Sequence, residues 1–231
     1  MVLLLDLHFL GVESRMKPLY LTYSNGVQPY LRMAEGICTQ VAELEAGDCI
    51  HLCQTKPETE RNFNIAFYTR IFANVVHAIA DRPVVVLDAD HVVKRPIIEV
   101  FKRDWDIAAV YRSQSFDKYG RHDYCSGLIL LNNRRPGLIV RFCKEWLDSM
   151  SSRPPSPGFC PKVLRKQGWL DTWFDDQTSL NDVIIPEKEE VEHEKIYSIR
   201  DYRILPLDWR SYTLPGEEVF IVHYKGSRKK Q

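Results

Sequence analysis

The chain has 231 residues, 45% hydrophobic and 27% charged, which suits one large domain with a sizeable core. Its 31 Lys and Arg balance 31 Asp and Glu, so no net field draws it to nucleic acid or an anionic membrane, and any basic contact must be local. Six cysteines, at positions 38, 49, 53, 125, 143 and 160, make neither a C-x-x-C pair nor a zinc-ligand spacing, the pattern expected of reduced thiols in a cytoplasmic protein.

Residues 1–16 open with MVLLLDLHFL, expected to be an added strand or an N-terminal extension rather than a leader or anchor. Asp6 and His8 interrupt it, no basic stretch precedes it, and it falls short of the ~20 apolar residues that span a bilayer. No later segment is long enough to cross a membrane. Residues 17–231 are expected to form a single domain in which short apolar runs alternate with helical stretches. Pro18 to Gly26 (PLYLTYSNG) predicts a strand and a turn, because Leu19, Tyr20, Leu21 and Tyr23 favour extended backbone and Asn25-Gly26 permits positive φ. Gln28 to Leu44 predicts a helix despite Gly36, and Asp48 to Gln54 a second strand. Residues 61–80 place Phe63, Phe67, Ile71, Val75 and Ile79 at every fourth position, along one helix face. Arg82 precedes Pro83, whose ring disfavours helical backbone at the residue before it, so the helix ends there. Val84 to Leu87 is a continuous apolar run rich in β-branched residues, as in a central strand covered on both faces.

Further strands are expected at Asp106 to Tyr111 and Ser126 to Leu131, and a helix at Leu138 to Met150. SSRPPSPGFCP follows that helix, and its recurring prolines rule out regular structure, which suits a surface excursion within the domain. Pro186 to Lys195 is acid-rich and expected to be a solvated face.

The run VVVLDADHVV sets Asp88 and Asp90 where the central strand ends. Residues i and i+2 of an extended chain point the same way, so both carboxylates are expected to converge on one object at the carboxyl end of the sheet, where open α/β sheets bind ligands. Left alone they repel; a hard divalent cation accepts both oxygens. D-x-D by itself also suits a helix cap.

FYTRIFANVVHAIADRPVVVLDADHVVKRPI resembles the donor-binding core of the GT-A-fold glycosyltransferases, in particular nucleotide-diphospho-sugar transferases of the glycosyltransferase family 8 type. Three later segments extend the resemblance over most of residues 18–226: YCSGLILLNN (Tyr124 to Asn133), DDQTSLNDVI (Asp175 to Ile184) and VHYKGSRKK (Val222 to Lys230). It implies an α/β GT-A fold, a Rossmann-like domain with a central mixed, mostly parallel sheet flanked by helices. It implies transfer of a sugar from a nucleotide-diphosphate sugar, with UDP favoured, to a hydroxyl of a glycan or glycoconjugate. Mn²⁺ or Mg²⁺ would bridge the diphosphate as charge grows on the departing nucleotide. By the resemblance Asp88, Asp90 and His223 are the metal ligands, with Asp88 also reaching the ribose; the imidazole inclines the choice to manganese.

The resemblance also assigns donor contacts to Thr22, Tyr23, Arg70, Ser126, Gly127, Gln177, Lys225 and Gly226, with Arg228 within reach of a phosphate. Thr22 and Tyr23 are expected just past the first strand, where the aromatic would stack on the base; ordinary packing is the other use of Tyr23. Asp176, with Asp175 next, is the expected catalytic base or sugar contact, and a helix cap is the alternative for both. His223 taken alone also suits a partly buried strand residue. Two other functions remain compatible with the motifs: a phosphatase of the haloacid-dehalogenase type, in which Asp88 would attack phosphorus, and a non-catalytic sugar-nucleotide binding module.

Overall fold

Alternation along the strands sets the architecture. In the computed structural model, residues 17–24, 26, 28–53, 63–112, 116–117, 120–121, 124–152, 175–184, 191–208 and 219–223 are described. The run at residues 84–88 becomes β3 (Val84–Asp88), and its side chains divide strictly between the two faces of a sheet. Val84 and Val86 enter one buried cluster with Leu19, Leu21, Ile129 and Leu131, while Val85 and Leu87 enter a second with Tyr20, Leu128 and Leu130. A strand buried on both faces must be apolar throughout, which is why this run lacks the polar alternation of a half-exposed strand.

The seven-stranded sheet runs β2-β1-β3-β8-β5-β10-β9, from β1 (Leu19–Ser24), β2 (Asp48–Cys53), β3, β5 (Ile107–Tyr111), β8 (Tyr124–Leu131), β9 (Tyr197–Ile199) and β10 (Tyr202–Asp208). Five strands point one way, and β8 and β9 run against them. The sheet is therefore mixed and mostly parallel, as expected. Helices α2 (Phe63–Ala78), α3 (Pro136–Ser152) and α4 (Asp175–Ile184) cover one face through Ile71, Val75, Phe142, Trp146 and Leu180. Helix α1 (Tyr30–Glu43) and the 3₁₀ turn Ile98–Lys102 cover the other through Ile37, Val41, Val100 and Phe101. Element boundaries fall within about two residues of the sequence expectation, the ordinary uncertainty of helix and strand ends.

Two small ladders lie outside the main sheet: β4 (His91–Val93) with β11 (Ile221–His223), and β6 (Phe116–Asp117) with β7 (Gly120–Arg121). The acid-rich segment is described only from Val191, and there it is anchored as well as solvated. Glu194 bonds Arg103 at 2.6 Å, and its N–H donates to the Pro206 carbonyl at 2.8 Å. Residues 1–16, the proline-rich excursion after Ser152, and Lys225, Gly226 and Arg228 lie outside the described residues.

No helix among the described residues is long and apolar enough to cross a membrane.

Candidate active site

The D-x-D motif does not stay extended. β3 ends at Asp88, Ala89 and Asp90 turn, and β4 begins at His91, so the i, i+2 alternation expected to aim both carboxylates together is broken by the turn. The two acids take different side-chain partners. Asp90 joins β4 and β11, whose antiparallel register sets His91 opposite His223. The two imidazoles stack at 4.3 Å between centroids and 14° between planes, and His223 Nε2 lies 3.1 Å from Asp90 Oδ1. One ligand atom from each of Asp90, His91 and His223 fits within a 4.8 Å span, and all three residues are buried.

This donor set fits a divalent transition ion. Carboxylate plus imidazole suits first-row transition ions better than Mg²⁺ or Ca²⁺, which favour oxygen. His91 Nδ1 donates to the Asp88 carbonyl at 3.1 Å, a contact that orients the ring. His223 Nδ1 is buried with no hydrogen-bond partner among the described residues, an unusual state for a buried polar atom. His91 was not expected from the motif; the signal that could have found it is its place directly after D-x-D. The short ladder is itself tied down, because Val93 N–H donates to Gln40 Oε1 of α1 at 2.9 Å and Lys94 N–H to the Phe220 carbonyl at 2.8 Å.

Asp88 belongs to a second group with Tyr23, Tyr68, Ser126 and Asp176. Thr22 and Tyr23 lie inside β1, not beyond it as expected, because β1 continues in register with β2 as far as Ser24. Thr22 is fully buried, and its hydroxyl has no partner among the described residues. The Tyr23 ring packs on Phe67 and Tyr68 at 5.0 and 6.3 Å, and its hydroxyl donates to Asp88 Oδ1. Burial, reinforced by the Asp88 carboxylate, pushes the Tyr23 phenol well up, so it stays a donor.

On the far side, Asp176 Oδ2 accepts from Ser126 Oγ at 2.6 Å and from the Tyr68 hydroxyl at 3.2 Å. Trp146 Nε1 donates to the Asp176 backbone carbonyl at 2.8 Å. Burial, reinforced by the charge of Asp88 and opposed by the Ser126 hydrogen bond, raises the Asp176 carboxyl to about 7. That value places it near neutrality, where a carboxylate can exchange a proton.

Two local devices bring Asp176 and Ser126 together. Asn181, on α4, acts as a surrogate strand neighbour: its Oδ1 accepts the Tyr124 N–H at 2.9 Å, and its Nδ2 donates to the Tyr124 carbonyl at 2.9 Å. The β5–β8 register also breaks, from Ala109 opposite Ile129 to Val110 opposite Cys125, so residues 126–128 are extra relative to β5, while Leu128 stays paired with Leu87 of β3. Gly127 is part of that bulge. A Cβ there would lie 2.9 Å from Asp88 Oδ2 and 3.3 Å from His91 Cε1, so the missing side chain makes room for both groups. Gly127→Ala is therefore expected to displace Asp88 and His91, at a stability cost of about 1–3 kcal/mol typical of overpacking. A thermal melt paired with a Mn²⁺ titration checks it: a folded variant with weakened metal affinity is the expected outcome.

The other expected site residues spread further. Arg70 Nη1 donates to the Cys53 carbonyl at 3.1 Å, at the carboxyl end of β2. Gln177 is partly exposed in the first turn of α4, where its carbonyl accepts from Asn181 Nδ2 at 2.7 Å. Asp175 begins that helix, and its side chain lies outside the described residues.

No family model matches the chain, and no curated protein matches it significantly. Solved structures do. A glycosyltransferase involved in the glycosylation of the major capsid of PBCV-1 superposes with a TM-score of 0.57 at 13% identity, over 93% of this chain and 96% of that one. The fold is GT-A. The glycosyltransferase GlyE of Streptococcus pneumoniae TIGR4 superposes at 0.51 and 15% identity, over 91% of this chain and 55% of that one. The D-x-D strand is third in chain order in this GT-A sheet, whereas the haloacid-dehalogenase reading expects its first motif to open the fold.

Proposed function

We propose that the chain is a metal-dependent glycosyltransferase that moves a sugar from a nucleotide-diphosphate sugar, with UDP favoured, to a hydroxyl of a glycan or glycoconjugate. The observation that carries this reading is the convergence of Asp90, His91 and His223 beside the Asp88–Asp176 group at the carboxyl end of β3 in a GT-A sheet. Open α/β sheets hold their ligands at that end. A divalent ion held by Asp90, His91 and His223 would neutralise the donor diphosphate and the charge that grows on it as the glycosidic bond breaks.

The chain's own residues divide the remaining work. Tyr23 holds Asp88 in one rotamer, where it can accept from a donor hydroxyl or from water on the ion. Asp176, held between Ser126 and Tyr68, takes the proton of the acceptor hydroxyl if transfer inverts the anomeric centre, and holds sugar hydroxyls if transfer retains it. Arg70, Gln177, Lys225 and Gly226 complete the donor contacts, the last two as charge and close backbone approach to the diphosphate. Asp175 is the adjacent acid that can exchange roles with Asp176.

Calorimetry with a panel of nucleotide sugars tests the reading. Donor affinity is expected to require Mn²⁺ and to collapse on adding chelator; equal affinity with and without metal rules the proposal out. Transfer to an added glycan, or slow donor hydrolysis in its absence, separates an enzyme from a binding module that keeps the fold without turnover.

A further inference from the structure

Cys38 and Cys49 face each other across the junction of α1 and β2, with their sulfurs 2.7 Å apart. Unbonded carbon atoms rest at about 3.5–4.0 Å, and sulfur is larger than carbon, so this separation lies between non-bonded contact and the ~2.05 Å of a disulfide. Both side chains are partly buried. Cys49 packs against the cluster that contains Ile37 and Val41 of α1, so helix and strand are already fixed relative to one another before any bond forms.

We infer that Cys38 and Cys49 are a disulfide-forming pair, a covalent modification site that staples α1 to the edge strand of the sheet and whose oxidant is a small-molecule disulfide. The inference is independent of the proposed transferase activity, and it replaces the expectation that these two cysteines serve only as separate reduced thiols.

No other pairing among the described cysteines competes. Cys53 is four residues along the same strand, about 13 Å away at the ordinary rise, too far for a bridge. Cys143 is buried in the cluster on the opposite face of the sheet. Cys125 is buried in β8, where its sulfur accepts from Arg112 at 3.6 Å.

The chemistry balances with glutathione disulfide as co-reactant. The Cys38 thiol loses its proton, attacks one sulfur of glutathione disulfide and expels a glutathione thiolate, which takes up that proton. Cys49 then loses its proton, attacks the Cys38 sulfur of the mixed disulfide and expels the second glutathione. Two protein thiols are oxidised, and one glutathione disulfide is reduced to two thiols. Burial pushes the Cys49 thiol up, so its attack on the mixed disulfide waits on loss of that proton. Gln40, two positions after Cys38 on α1, holds the Val93 N–H of β4, so the staple also stiffens a helix that supports the candidate site.

The test uses the full chain, reduced, exchanged into glutathione disulfide, and alkylated with iodoacetamide. Residues 33–55 contain no Lys or Arg, so trypsin leaves both cysteines in one peptide; a glutamate-specific protease cuts after Glu43 and Glu45 and separates them. The expected result is a cross-linked pair of peptides holding Cys38 and Cys49, lost in Cys38→Ser and in Cys49→Ser and retained in Cys53→Ser. The oxidised protein is expected to melt about 6–10 °C higher than the reduced one, as a short-loop disulfide does in a chain of this size, with the gain reversed by dithiothreitol. Full alkylation of Cys38 and Cys49 after oxidation overturns the inference. So does a cross-link from either to another cysteine, or a mixed disulfide with glutathione that never resolves.

Discussion

Asp176→Asn is expected to lower sugar transfer by about 10²–10⁴-fold, the usual contribution of a positioned general base, while nucleotide affinity stays nearly unchanged. The amide keeps the size of the carboxyl and can still accept from Ser126 and Tyr68, so the loss reports the missing proton acceptor rather than a collapsed site. A sugar-contact role gives a different pattern, with a smaller rate loss and poorer discrimination among donor sugars. Asp175→Asn is measured in parallel because adjacent acids can exchange roles. If both variants transfer at the parental rate with unchanged donor preference, the segment is only a helix cap.

The same substitution has a signature in stability that needs no substrate. Around Asp176 stand Asp88 from β3, Tyr23 from β1, Tyr68 from α2 and Ser126 from β8, and burial leads the rise of its carboxyl to about 7. The fold therefore prefers the neutral acid, while an unfolded chain ionises near ~3.9. The stability contributed by this group is full below that lower value and is lost as pH rises through the folded one. The amide introduced by Asp176→Asn does not titrate. Melts in chelator at pH 5 and pH 8 should thus show the variant gaining on the parent at the higher pH; a pH-independent difference would show that the carboxyl ionises as it does in water.

His91→Ala is expected to weaken Mn²⁺ binding by more than the ~10–100-fold that loss of an outer-shell partner costs, because the proposal makes His91 a direct ligand. Manganese paramagnetic resonance reads free ion directly, without turnover. His223→Ala and Asp90→Ala should fall in the same class, whereas Asp88→Asn should bind the ion more nearly as the parent does, since Asp88 accepts from Tyr23 and is not one of the three residues of the cluster. The order would reverse if Asp88 were a primary ligand and His91 a packing residue. A large loss of thermal stability in metal-free His223→Ala, with metal affinity intact, would assign that histidine to the core instead.

Much of the architecture was legible because burial leaves a mark in composition. Val84 to Leu87 carries no polar residue, since both faces of β3 are covered, and the Phe67, Ile71, Val75 and Ile79 stripe matches the buried side of α2 and the turn after it. The candidate site could be read in its residue types but not in its grouping. Nothing local to DADH says that the chain turns at Ala89, because that turn depends on β4 pairing with a strand far along the sequence. Tyr68 reads as one more aromatic of an apolar helix face, and only the tertiary approach of α4 reveals its hydroxyl against Asp176. Asn181 likewise looked like an ordinary polar residue of α4, while its amide completes the hydrogen bonding at the start of β8.

The ladder between β4 and β11 bears on the order in which the molecule is built. It joins residues 91–93 to residues 221–223, so it closes across more than half of the chain for only three residue pairs. Loop closure of that kind is entropically unfavourable until the intervening strands have already drawn the ends together. The imidazole pair is thus expected to assemble late, and an ion held between the two strands would act as a latch on the finished fold. A chain that lost β11 would keep the first buried cluster of the sheet, would lose Ile221 from the second, and would have no means of closing that latch.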